Sequence, residues 1–155
     1  MSDATQENTQ PQFSMEKIYV KDLSLEIPHA PKIFLERATP QIDVQLHTQA
    51  GSIEEGVHEV VVMTTVTAKI GEKVMFLIEA KQAGIFRMSN VPAGELEQVL
   101  AVMCPNILFP YLREVVSDVA IRGGFAPVLM NPINFDGLYQ QQKRQMHAAS
   151  TATAH

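Results

Sequence analysis

Cysteine and histidine are the side chains from which a nucleophile, a general base or a metal centre would be built here, and their spacing supports none of the three. Cys104 stands alone, at the end of an apolar stretch before Pro105, with no neighbouring signature of an activating base; a free cysteine in such a place packs as a small hydrophobe. A single thiol also excludes an internal disulfide and the paired spacing of a thiolate zinc site. His29, His47, His58, His147 and His155 include no helical ligand pair beside a carboxylate of the kind zinc hydrolases use. Gly84, Gly94, Gly123 and Gly124 are too scattered, or lack the Lys and Ser/Thr context, for a phosphate-binding loop, and read as turns and caps. No enzyme, cofactor or protein-held metal is expected; a thiol enzyme pairing Cys104 with a distant histidine is the alternative from that class.

Binding chemistry is better represented. Asp22 and Glu26 fall on one parity of a strand pattern, about 13 Å apart at the rise of an extended chain. Glu79 lies on the exposed-looking parity of another strand beside Leu77, so neighbouring strands would make an acidic patch with an apolar centre; a merely solvated face is the plainer reading. Phe34, Leu35, Ile42, Val44, Leu46, Phe135, Leu138 and Tyr139 supply apolar groups from a loop, a short strand and a late helix. They either fill a core or line a groove that would accept extended polypeptide.

The elements that would carry these groups are legible in part. Tyr19, Leu23, Leu25 and Ile27 alternate with Asp22, Ser24 and Glu26, predicting a half-buried strand over Lys17–Ile27 with the first set inward. Pro28, Pro31 and Pro40 bracket a crossover loop that carries Ile33, Phe34 and Leu35. Ile42, Val44 and Leu46 mark a short second strand. Val57–Ile70 is dense in β-branched residues, and after a turn at Gly71 a fourth strand puts Val74, Phe76, Ile78 and Ala80 on one face, an antiparallel hairpin. Leu96, Val99, Leu100 and Met103 then take the helical period until Pro105. A longer helix is expected from Asn106, with Leu108, Tyr111, Leu112, Val115 and Val119 inward, Pro110 in its first turn, and a stop at Gly123 and Gly124. Asn134 would cap a last helix. Four strands followed by helices read as an α+β layer in one domain, residues 14–147, with polar tails, 1–13 and 148–155, expected to be disordered.

Composition narrows the partners. Twelve basic against seventeen acidic residues among 155 give a net charge of -5, which opposes a nucleic-acid backbone. The opening residues carry no charged start followed by an apolar run, and no uninterrupted apolar stretch approaches the roughly 20 residues of a membrane span. A cytoplasmic protein without direct membrane insertion is expected.

Against that background the chain resembles the SecB export-chaperone family from Lys17 to Tyr139. The resemblance rests on KIYVKDLSLEIPHAPKIF at Lys17–Phe34, TVTAKIGEKVMFLIEAKQAGIF at Thr65–Phe86, CPNILFPYLREVVSDVAIRGGF at Cys104–Phe125 and NPINFDGLY at Asn131–Tyr139. It implies a four-stranded antiparallel sheet with C-terminal helices, assembled as a homotetramer, a dimer of dimers. It further implies a groove for unfolded preproteins, to which Phe34, Leu35, Ile42, Val44, Leu46, Phe135, Leu138 and Tyr139 are assigned. An acidic surface at Asp22, Glu26, Leu77 and Glu79 would receive the SecA motor, whose own tail carries the zinc. Ala38 stands where the family commonly has an aromatic residue, which removes a ring from one possible pocket. A fixed structural scaffold is the remaining alternative, and selective binding of unfolded chains would separate the two.

Overall fold

The computed structural model describes residues 9–152. Strands β1 (Gln12–Glu26), β2 (Gln41–Glu54), β3 (Val57–Ile70) and β4 (Lys73–Ser89) are followed by helices α1 (Ala93–Gln98), α2 (Cys104–Arg122) and α3 (Phe135–Ala152). The strands form one antiparallel sheet in the order β1-β4-β3-β2, giving the expected α+β arrangement. Gly71, at φ 61°, makes the β3–β4 turn, a backbone conformation that costs glycine little because it has no Cβ.

One face of the sheet is covered by helix. Val60, Val62, Val66 and Ala68 of β3 and Phe76, Ile78 and Ala80 of β4 form a buried cluster with Cys104, Leu108, Leu112 and Val116 of α2. Each large apolar side chain so buried stabilises by roughly 1.5–3 kcal/mol. The helix can approach closely because β4 has a glycine beneath it: a Cβ on Gly84 would lie 3.0 Å from the Leu108 side chain and 2.8 Å from the Phe86 ring. Gly84→Val is therefore expected to lower stability by about 2 kcal/mol through overpacking, read as a fall in the urea midpoint.

The first strand departs from the single alternation expected of it. Its pairing with β4 skips at Glu16 and again at Lys21, each an extra residue that shifts the phase of the strand beyond it. Phe13, Met15, Ile18, Val20, Leu23 and Leu25 consequently share the helix-covered side, opposite even-numbered residues of β4, while Tyr19 stands opposite Ala83 on the other face with Asp22, Ser24 and Glu26. The expectation that Tyr19 points inward with Leu23 and Leu25 is thus corrected. The second strand is long rather than short, because Thr48–Glu54 continues its pairing with β3 despite carrying few apolar residues.

Pro105 does not end a helix. Between α1 and α2, Val99–Met103 forms a wider π turn and the helix runs on without a break. Pro105 has no N–H to give the carbonyl one turn back, and a widened turn accommodates its ring. Pro110 sits inside α2 rather than in its first turn; Pro110 and Asn106 are both exposed, so the carbonyl left without a donor is open to water. Tyr111, expected inward, is exposed, and Phe109 and Val116 are buried in α2. By length and composition the whole helix Ala93–Arg122 is apolar enough to cross a membrane, with a mean hydropathy of 1.4 over a window that is 33% buried. Charges and prolines interrupt the run of apolar letters and hide this in the sequence. Here its buried side chains lie on the sheet, and Met103, Tyr111 and Ile121 remain exposed.

Asn134 caps α3 as expected, its Oδ1 accepting the Gly137 N–H at 3.0 Å. The expected tails are shorter than 1–13 and 148–155, since β1 takes up Gln12 and Phe13 and α3 extends through Ala152. The rest of both tails, 1–8 and 153–155, lies outside the described residues.

Candidate functional site

Two surfaces on opposite faces of the sheet gather the singled-out residues. On the helix-covered side Ile42, Val44 and Leu46 stand opposite Ala68, Val66 and Thr64 of β3, beyond the reach of α2. The segment after that helix lies across from them. Pro127–Asn131 and Ile133 close a groove of ≈ 510 Å³ against the three β2 side chains. Ile42 is 47% exposed, Val44 40% and Leu129 84%, so the groove is open and apolar. Leu46 also borders a second hollow of ≈ 270 Å³ with Ala101, Phe135, Leu138 and Tyr139.

The predicted groove residues divide into three groups. Ile42, Val44 and Leu46 line the groove, and Leu138, on α3, borders the second hollow, which shares Leu46 with it. Phe135 and Tyr139 are buried and form a wall of the second hollow; Phe109 meets Phe135 edge-on at 5.8 Å. Phe34 and Leu35 lie on the crossover loop, in the 3-10 turn Lys32–Leu35. Phe34 stacks on Phe125 at 5.3 Å, and Phe125 rests on Phe76 at 4.6 Å, so the loop is tied to the core by three rings. Sequence reasoning missed Pro127–Ile133 because an irregular segment has no apolar period, although Val128, Leu129, Met130 and Ile133 stand among prolines in a short run.

Among the described residues no helix lies on the other face. Ser24 pairs with Glu79 and Glu26 with Leu77, while Asp22 pairs with Lys81. All are on one side of the sheet, so Glu79 sits diagonally between Asp22 and Glu26, and Leu77 lies beside Glu26. Asp43 joins the same row through Thr67, which pairs with both Asp43 and Leu77; nothing in the spacing of the sequence pointed to it. A shallow hollow of ≈ 250 Å³ lies among Asp22, His47, Met63, Glu79 and Lys81.

Higher on this face, Tyr19 and Lys21 both donate to the Glu59 carboxylate, Lys21 Nζ at 2.7 Å. Lys21 and then Tyr19 hold the Glu59 carboxyl below its ordinary 4.5. Burial, followed by the hydrogen bond and charge of Glu59, pushes the Tyr19 phenol from 10.0 up to about 12. Folding therefore favours the neutral phenol, and its contribution is full below 10.0 and lost as pH rises through about 12. Glu59 works in the other direction, contributing above 4.5 and failing as pH falls through its lowered value. Tyr19→Phe is expected to remove part of the alkaline loss of stability in the 10.0 to about 12 window, measured as thermal midpoint against pH.

No catalytic arrangement emerges. Cys104 is buried in the core and its thiol is pushed up to about 12 by burial, so it is not a thiolate at neutral pH. Among the described residues no three His, Cys, Asp or Glu side chains are grouped to hold a metal ion.

Residues 6–146 match the family model of SecB, preprotein translocase subunit SecB. The chain belongs to the SecB family. A protein-export protein SecB of Methylobacillus flagellatus is 54% identical over 98% of this chain and 97% of its own length. That of Nitrosomonas eutropha is 59% identical over 91% and 89%. Among solved structures, a SecB-like chaperone of Mycobacterium tuberculosis, in complex with a peptide of the HigA1 antitoxin, superposes with a TM-score of 0.65 at 16% identity. It covers 78% of this chain and 90% of that one, which establishes a shared fold. As a SecB-family member the chain is a protein-export chaperone and not an enzyme.

Proposed function

We propose that this SecB-family chaperone holds unfolded preproteins along the groove between β2 and residues 127–133 and delivers them to SecA through the acidic face opposite. The observation that carries this reading is the pairing of an open apolar groove with a separate carboxylate cluster on the two sides of one sheet. Apolar surface leaving water is worth roughly 25 cal/mol per Å² whatever the side-chain sequence, so a groove built on Ile42, Val44 and Leu46, with Phe135, Leu138 and Tyr139 around the adjoining hollow and Phe34 and Leu35 of the crossover loop as further client contacts, accepts many clients. Asp22, Glu26 and Glu79 around Leu77 suit a basic partner with an apolar contact, which is the chemistry of a basic SecA segment. Energy for translocation comes from SecA, and this chain needs no cofactor. The site of action is the cytoplasm.

The working unit is a homotetramer, a dimer of dimers. Support comes from apolar side chains that one protomer leaves uncovered: Met15, Val20 and Leu23 on β1, and Met103, Tyr111 and Ile121 on the long helix. Several grooves on one particle raise the hold on a long client through effective concentration.

Titration with an unfolded preprotein, the same protein folded, and SecA in the presence and absence of client tests the whole reading. Binding of the unfolded form alone, with SecA joining without displacing it, is the expected result. A correctly assembled sample that ignored unfolded chains would refute it.

A further inference from the structure

The face that Asp22 and Glu26 occupy is decided by one residue. Along β1 the helix-side residues are spaced two, three, two, three, two: Phe13, Met15, Ile18, Val20, Leu23, Leu25. The step from Val20 to Leu23 contains the extra residue Lys21, which has no partner on β4. Were β1 to continue its alternation through Lys21 without the bulge, Asp22, Ser24 and Glu26 would turn to the helix side and Leu23 and Leu25 to the open face.

Groups on both faces hold the bulge. On the open face the Tyr19 phenol and the Lys21 ammonium reach across β4 to Glu59 on β3, a span of two strand spacings, about 10 Å. The residue beneath is Ala83, fully buried and opposite Tyr19; its single methyl leaves the crossing clear. On the helix side the buried Gln82 amide donates to the Tyr19 carbonyl at 3.2 Å, immediately before the shift. The other extra residue of β1, Glu16, is likewise ion-paired on the open face, with Arg87.

We propose that Tyr19, Lys21 and Glu59 are positioning residues for the acidic docking face, fixing the phase of β1 so that its carboxylates stand beside Glu79. This rests on the reading that the acidic face receives a basic partner. The three residues act through the strand and not by touching the partner.

The test uses the full chain and purified SecA. Tyr19→Phe combined with Glu59→Leu removes the clamp and is expected to weaken SecA binding about tenfold, with unfolded-client affinity unchanged. Deleting Lys21 leaves both halves of β1 on one unbroken alternation that already places Tyr19, Asp22, Ser24 and Glu26 together. The deletion alone should therefore bind SecA as the parent does, and added to the clamp-less variant it should restore the lost affinity. Circular dichroism and mass measurement accompany each variant. Parental affinity in the clamp-less variant, or failure of the deletion to restore it, would overturn the assignment. If instead reversing Asp22, Glu26 and Glu79 also left SecA binding intact, the docking reading itself would fail, a result the clamp variants alone do not produce.

Discussion

Reversing Asp22, Glu26 and Glu79 to lysine together is expected to weaken SecA binding about 100-fold, since like charges brought together across an interface cost several kcal/mol. The three positions are exposed and lie on the face without helices, so the substitutions leave the core cluster untouched. Client affinity should stay within about twofold of the parent, because the groove is on the other side of the sheet and surface charges act weakly beyond a Debye length of about 8 Å. Isothermal titration at two salt concentrations is the measurement; added salt should weaken parental SecA binding and strengthen that of the variant. Unchanged SecA affinity in a folded, assembled variant would remove the acidic face from the mechanism. Asp43, in the same row, is expected to add to the effect when reversed as well.

Replacing Ile42, Val44 and Leu46 by threonine is expected to weaken binding of an unfolded preprotein about 100-fold. Each replacement removes roughly 1 kcal/mol of transferable apolar surface, and three such losses multiply to about that factor. Threonine keeps the branched shape that suits a strand, so β2 should hold its pairing, as circular dichroism would verify. SecA affinity should not change. Retained client binding would move the groove elsewhere, with the exposed Leu129 across the cleft the next residue to change.

How far the sequence reveals this arrangement depends on whether a regular period runs undisturbed. The β3–β4 hairpin is legible because Val60, Val62, Val66 and Ala68 keep one parity and Gly71 marks the turn, and these four are buried with Phe76, Ile78 and Ala80. Ile70 and Val74, expected on the same faces, are only half-buried, and the extra residue Met75 sets Val74 opposite Lys69 rather than in line with Phe76. In β1 the same alternation misplaces Tyr19, because two extra residues break a period of two; the alternating two-three spacing of apolar residues from Phe13 to Leu25 is the signal that carries the true phase. Pro105 reads as a stop because its missing N–H forbids a regular turn, yet a π turn absorbs it. Of the candidate site, Ile42, Val44 and Leu46 can be read from alternation, as can the shared face of Asp22 and Glu26, whereas these two meet Glu79 only through resemblance and register. Glu59 lies 40 residues from Tyr19, and no local pattern connects them.

β2 is the last strand of the sheet, so among the described residues the amides and carbonyls along its outer margin have no strand to bond with, and they run beside the side chains of the groove. A ladder of main-chain groups reads no alphabet. It asks only that a visitor have its own main chain free, a condition that a finished native structure cannot meet and a lingering nascent one can. Selection would then operate on a clock: precursors that are slow to close on themselves stay eligible, and quick ones escape before they are seized.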